Sequence, residues 1–131
     1  MSHSDTIAAL YSAFAQGDVP FILSSVADNF SWTDPSDRAI TRQGGTFIGR
    51  TGFGSFLQLL NENSQTTHWE VADYTSERDI VVATGKHGVT HRSTGKSCLL
   101  DWVMVWRFSD EQLISGRCYY DTARLEAIFA A

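Results

Sequence analysis

Two side chains in this 131-residue chain have the means to move a proton to or from a bound molecule: Asp34 and His87. Asp34 follows a short stretch of alternating apolar and polar residues, Phe30–Thr33, and directly precedes Pro35. A carboxylate at the mouth of an apolar enclosure is penalised when ionised, so its pKa rises and it becomes a base able to take a proton from carbon. The same residues, Asp34-Pro35-Ser36-Asp37, also form a turn sequence in which an Asp side chain bonds its own backbone. His87 shares one face of an alternating stretch with Ala83, Gly85 and Val89, while Val82, Thr84, Lys86 and Gly88 take the other. Lys86 belongs in water, so His87 turns inward, as a base, an orienting donor or a structural histidine.

Around these two, an apolar binding surface is expected from Tyr11, Phe14, Trp32, Trp102, Met104, Trp106, Cys118 and Tyr120. Tyr and Trp rings stack on a cyclic ligand and carry a polar tip, although ordinary core packing uses the same residues. Asp121 precedes Thr122-Ala123-Arg124-Leu125-Glu126 and reads as a helix N-cap, with a pocket acid as its other role. His68 and His91 flank strand ends, where solvent or an interface is expected. No His, Asp or Glu set has metal-ligand spacing, so no metal is expected. Neither a nucleophile elbow nor a phosphate-loop pattern occurs, so no cofactor is expected either.

The elements that must position these groups follow from periodicity. Ile7, Leu10, Tyr11 and Phe14 lie on one face of a helix over Ser4–Gln16, capped by Ser4 or Asp5 and ended by Gly17. A second short helix starts at Asp18-Val19-Pro20 and stops near Asp28-Asn29. Phe30–Thr33 reads as a strand; a polar loop with Gly44-Gly45 follows, then a third helix over roughly Arg50–Asn61. Candidate strands at His68–Tyr74, Asp79–Thr90, Ser97–Phe108 and Leu113–Tyr120 meander antiparallel, and a last helix spans about Thr122–Phe129. Helices segregated from strands in this way predict an α+β fold, with the whole of 1–131 as one domain. Trp102, Met104, Trp106 and Phe108 share the concave face; Val103, Val105 and Arg107 share the convex one, for which a second subunit is the simplest cover.

Composition narrows the classes. Net charge is −5 and no Lys/Arg cluster exists, which excludes nucleic acid and anionic membrane as expected partners. Cys98 and Cys118 are too few for a disulfide framework and read as small buried hydrophobes. MSHSDTIAAL has neither a basic nor an apolar signal region, so a cytoplasmic location is expected.

Taken in order, Phe14-Ala15-Gln16-Gly17-Asp18, Phe30-Ser31-Trp32-Thr33-Asp34-Pro35, Phe47-Ile48-Gly49-Arg50, Thr94-Gly95-Lys96, Val105-Trp106-Arg107-Phe108 and Tyr119-Tyr120-Asp121 resemble the SnoaL-like branch of the NTF2-like superfamily. That superfamily also holds ketosteroid isomerases and limonene epoxide hydrolases. The resemblance implies a cone: a curved antiparallel sheet, helices across its open side, a deep pocket and commonly a dimer. The isomerases' general base precedes a proline after the first strand, as Asp34 precedes Pro35, whereas their oxyanion-hole Tyr and Asp positions hold Leu10 (beside Tyr11) and Met104. Compared with the epoxide hydrolases, His87 falls on the water-activating Asp, Gly85 on the Arg and Cys118 on the acid Asp. The implied function is cofactor-independent acid/base chemistry, of isomerase, cyclase or hydratase type, on a small hydrophobic cyclic or polyketide-like substrate. The alternative is a non-catalytic binding protein for an apolar ligand.

Overall fold

The computed structural model describes residues 2–131. The amphipathic N-terminal segment forms α1 (His3–Gln16). Its cap is Ser2, not Ser4 or Asp5: the Ser2 hydroxyl accepts from the Asp5 N–H at 3.1 Å, and the Asp5 carboxylate accepts from the Ser2 N–H at 3.1 Å. Each satisfies a backbone donor the helix leaves free, which fixes the start one residue before the expected Ser4. Gly17 ends α1 at φ 72°, a left-handed turn that costs glycine little. Asp18 caps α2 (Val19–Ser24), which carries Pro20 in its first turn and stops short of the expected Asp28-Asn29.

β1 (Ser31–Asp34) follows. The expected polar loop after it is instead ordered as α3 (Arg38–Thr41) and β2 (Gly45–Ile48). Both are too short to show a period in sequence, and β2 exists through its antiparallel pairing with β1, Asp34 opposite Gly45. Then come α4 (Gly49–Asn63), β3 (Ser64–Glu77), β4 (Ile80–His91), β5 (Ser97–Ser109), β6 (Gln112–Tyr119) and α5 (Thr122–Ala127).

The six strands form one curved, unclosed α+β sheet in the order β2-β1-β6-β5-β4-β3. All neighbours are antiparallel except β1 and β6, which run parallel with Trp32 opposite Gly116. The antiparallel expectation therefore needs correction at that junction: β1 returns to the sheet beside the last strand, across most of the chain. Bulges in β3, at Thr66/His68 and Val71/Asp73, bend the sheet round the helices.

Inside the curve, Trp32, Trp102 and Trp106 are each at most 3% exposed, and Met104 packs against them as predicted. Two glycines make the space. A Cβ on Gly116 would lie 2.6 Å from the Trp106 ring and 2.8 Å from that of Trp32, and one on Gly85 would meet the Glu70 carbonyl and the Trp102 ring. On the outer face, Val103 and Tyr119 sit opposite each other, 38% and 47% exposed, and Lys86 pairs with Asp101 at 2.6 Å. His68 is exposed near Glu70, as expected, but His91 is buried, its ring 4.0 Å from Phe129, because the C-terminal residues fold back over the end of β4. Among the described residues no helix is long and apolar enough to cross a membrane.

Candidate functional site

The concave face of the sheet and the helices enclose a cavity of about 80 Å³, room for roughly five to eight water-sized centres. Asp34 and His87 both line it, as do Tyr11, Phe14, Trp32, Trp102, Met104, Trp106, Cys118 and Tyr120. The ten residues singled out in the sequence thus share one enclosure, although they do not share one chemistry. A wider cleft of about 850 Å³ between α1, α2, α4 and β3 adjoins the cavity and shares Phe14, Ile22, Leu57, Leu60, Ser64 and Trp69 with it.

Asp34 is 5% exposed at the end of β1. Its Oδ1 accepts three bonds: from the Ser36 N–H at 3.0 Å, the Ser36 hydroxyl at 2.7 Å and the Tyr120 hydroxyl at 2.8 Å. The first is the turn bond anticipated from Asp34-Pro35-Ser36, so the turn and cavity roles coexist, one oxygen serving each. Oδ2 takes no protein partner and is not among the buried orphan atoms, so it keeps a water-reachable face. Burial raises the carboxyl pKa, against the lowering effect of the Ser36 and Tyr120 bonds.

Behind Asp34 runs a polar network that sequence reading missed. The Ser36 and Thr41 hydroxyls are 2.8 Å apart, and Asn63 Nδ2 donates to the Thr41 carbonyl at 2.7 Å and to Gln43 Oε1 at 3.0 Å. With Oε1 so engaged, Gln43 Nε2 is the free end, and Gln43 lines the cavity. With Ser36 donating to Asp34, the single Thr41 hydroxyl proton lies between the Ser36 hydroxyl at 2.8 Å and the Asp37 carbonyl at 3.2 Å. Ser36, Thr41 and Gln43 carry no apolar period, so only their long-range contacts reveal them. Trp69, also missed, lies two residues from Val71 on the same face of β3 and was open to detection by that alternation.

His87 is half-buried, its Nε2 2.9 Å from the Thr66 hydroxyl and its ring edge-on to Trp69. Burial pushes its pKa down to about 4, so near neutrality the imidazole is uncharged. It shares no hydrogen bond with Asp34; the two occupy separate parts of the lining.

Other candidates are more passive. The Tyr11 hydroxyl accepts from Trp106 Nε1 at 2.8 Å and donates to Met104 Sδ at 3.3 Å, so it is fully engaged in the core. Burial raises the Cys118 thiol and the Tyr120 phenol, each further raised by the Asp34 charge, and keeps both protonated. Asp121 caps α5, accepting from the Arg124 N–H at 3.2 Å, and does not line the cavity. Trp32 and Trp102 do line it, and their indole N–H groups are buried without a partner.

No curated protein matches the chain. In solved structures, an NTF2-like protein of unknown function from Burkholderia pseudomallei is 26% identical, covers 100% of both chains and superposes with a TM-score of 0.91. An NTF2-like protein from Burkholderia xenovorans is 21% identical over 97% of this chain and 95% of its own, TM-score 0.86. TerC, co-crystallised with polyporic acid, is 23% identical over 97% of each chain, TM-score 0.86. The latter two are evidence of the fold alone. The family model of the SnoaL-like domain matches residues 7–116, most of the helical cover and the sheet up to β6, and the chain belongs to that family, with the NTF2-like fold.

Proposed function

We propose that the protein catalyses cofactor-independent proton transfer on a small, hydrophobic cyclic molecule held in the cavity, with Asp34 as the general base. The observation that carries this is the split carboxylate. Oδ1 is anchored by three donors, while Oδ2 is unpartnered in an apolar surround that raises the group's proton affinity. A base so fixed accepts a proton from a carbon next to a carbonyl and returns it elsewhere, the elementary step of isomerisation and of cyclisation. Tyr120 and the Ser36–Thr41 hydroxyls steady the charge between the two transfers. His87, uncharged near neutrality, orients the ligand through hydrogen bonds. TerC's co-crystallisation with polyporic acid fits a ligand with rings and oxygens.

The second reading, a non-catalytic binding protein, is favoured by the engagement of Oδ1 in the turn. Deuterium exchange separates the two without a known substrate. The protein is incubated in heavy water with 1-indanone, and loss of the proton signal beside the carbonyl is followed by NMR. Faster exchange, reduced ~10²–10⁴-fold in Asp34→Asn, is the expected result. Binding without exchange leaves the carrier reading in place; unchanged exchange in Asp34→Asn removes Asp34 as base. The functional unit is proposed to be a homodimer joined through the sheet face of Val103, Val105 and Arg107, acting in the cytoplasm.

A further inference from the structure

The orphan donors say what kind of molecule the cavity takes. Among the described residues, Trp32 Nε1 and Trp102 Nε1 are the buried side-chain nitrogens and oxygens without a hydrogen-bond partner, and both residues line the same cavity. Trp106, on the same strand as Trp102 and equally buried, gives its N–H to Tyr11, so the fold can satisfy an indole where nothing else requires it. Gln43 adds a third donor, since Asn63 holds its Oε1 and leaves Nε2 free. A buried donor without an acceptor is costly, and a ligand oxygen supplies the acceptor once the two rings, whose N–H groups lie just beneath the cavity surface, turn toward it.

Charge restricts the class further. No Lys or Arg lines the cavity, and Asp34 does. An anionic ligand such as a carboxylate or phosphate would enter without a counter-charge and against the aspartate field. A cation would find a single carboxylate, one oxygen of which is already taken by three donors. Neutral acceptors on a flat apolar frame remain, and Trp69 stacked on Trp102, centroids 5.0 Å apart and 11° from parallel, provides a flat wall for such a frame.

We infer that Trp32 and Trp102 are ligand-binding residues whose indole N–H groups recognise the carbonyl oxygens of a neutral, planar cyclic ketone or quinone. This rests on the small-molecule reading above but not on turnover. The same donors would stabilise the negative charge that reaches a carbonyl oxygen when Asp34 Oδ2 takes a neighbouring carbon-bound proton. The C–H bond breaks, an O–H bond forms on Asp34, the electron pair moves to oxygen, and return of the proton to carbon restores both groups.

The test compares 1-indanone with indane, which keeps the rings and lacks the oxygen. Binding is measured by calorimetry to the wild type, Trp32→Phe and Trp102→Phe, and the indole N–H resonances of the wild type are followed by NMR. The ketone should bind about tenfold more tightly than the hydrocarbon, as one or two good hydrogen bonds provide. It should move the Trp32 and Trp102 indole resonances, which indane should not. Each Phe variant should bring the ketone-to-indane ratio toward unity, and the ratio is the readout because the lost ring area weakens both compounds alike. Equal affinities in the wild type, an unchanged ratio in both variants, or no binding of either compound overturns the inference. If the variants fail to fold, unmoved indole resonances in the wild type overturn it alone. Carbonyl preference without deuterium exchange supports this assignment and removes the catalytic one; exchange without carbonyl preference does the reverse.

Discussion

Replacing Asp34 by Asn separates the fold's use of this residue from its chemical use, and the sign of the stability change can be worked out. An Asn Oδ1 can accept the three bonds that Asp34 Oδ1 accepts from Ser36 N–H, Ser36 hydroxyl and Tyr120 hydroxyl, so the turn is kept. Each bond drops from a charged acceptor, worth about 1.5–3 kcal/mol, to a neutral one worth about 0.5–1.5. Against that loss of roughly 3 kcal/mol stands removal of the cost of burying an ion, several kcal/mol. The raised pKa says that the burial cost is the larger. Because the folded pKa lies above the ordinary 3.8, the native state holds the proton more tightly than the unfolded chain. Stability from this group is complete below that ordinary value and is lost as pH rises through the folded pKa. Asp34→Asn should therefore gain stability relative to the wild type as pH rises from about 4 to about 8. Asp34→Ala, which orphans three donors, should lose at least ~3 kcal/mol at every pH. Denaturant melts at several pH values give the comparison. An Asn variant that loses stability relative to wild type as pH rises would refute the desolvation argument.

Other expectations are as direct. The His87 imidazole should titrate by NMR with a midpoint near 4, since burial holds it there, and its contribution to stability should be lost as pH falls from its ordinary 6.5 through that value. A midpoint near 6.5 would show that the ring is solvated. Gly116→Ala should destabilise by about 1–3 kcal/mol in urea melts, because the added carbon enters the space of Trp106 and Trp32. An unchanged melt would mean that those rings can shift. Light scattering at micromolar concentration should give twice the 14.5 kDa chain mass, and Val103→Glu should reduce it to one chain, since the substitution puts a charge opposite the half-exposed Tyr119. A monomeric wild type would remove the convex face as an interface.

Much of the cavity was legible because its walls obey a period. Trp102, Met104 and Trp106 alternate along β5, and Leu10, Tyr11 and Phe14 follow a helical face, so their common side could be named before any contact was known. The cap at Asp121 was equally local. The Ser36–Thr41–Asn63–Gln43 network was not, because hydrogen bonds between α3, its flanking turns and α4 leave no periodic trace. The parallel β1–β6 pairing escaped for a related reason: a four-residue strand carries too little pattern to choose its neighbour. Asp34 read as a choice between a turn residue and a cavity group, yet one side chain makes the turn bond and lines the cavity.

The pairing of β1 with β6 also orders events in time. Asp34 and Tyr120 are 86 residues apart, so their bond forms only after nearly all of the chain is available. During synthesis α1 to α4, β1 and β2 can assemble early, and β3 to β5 can add hairpin by hairpin, but β1 waits with one edge open until β6 emerges. Long-range closure of this kind is slow, and an open strand edge invites pairing with a neighbouring chain. A ribosome stalled before β6 would thus release an aggregation-prone intermediate without a finished cavity. The residues from Gln112 onward bring the parallel strand's partner, the Tyr120 hydroxyl and the Leu125 side chain to the cavity wall together. Acquisition of a ligand would mark the docking of β6 against β1.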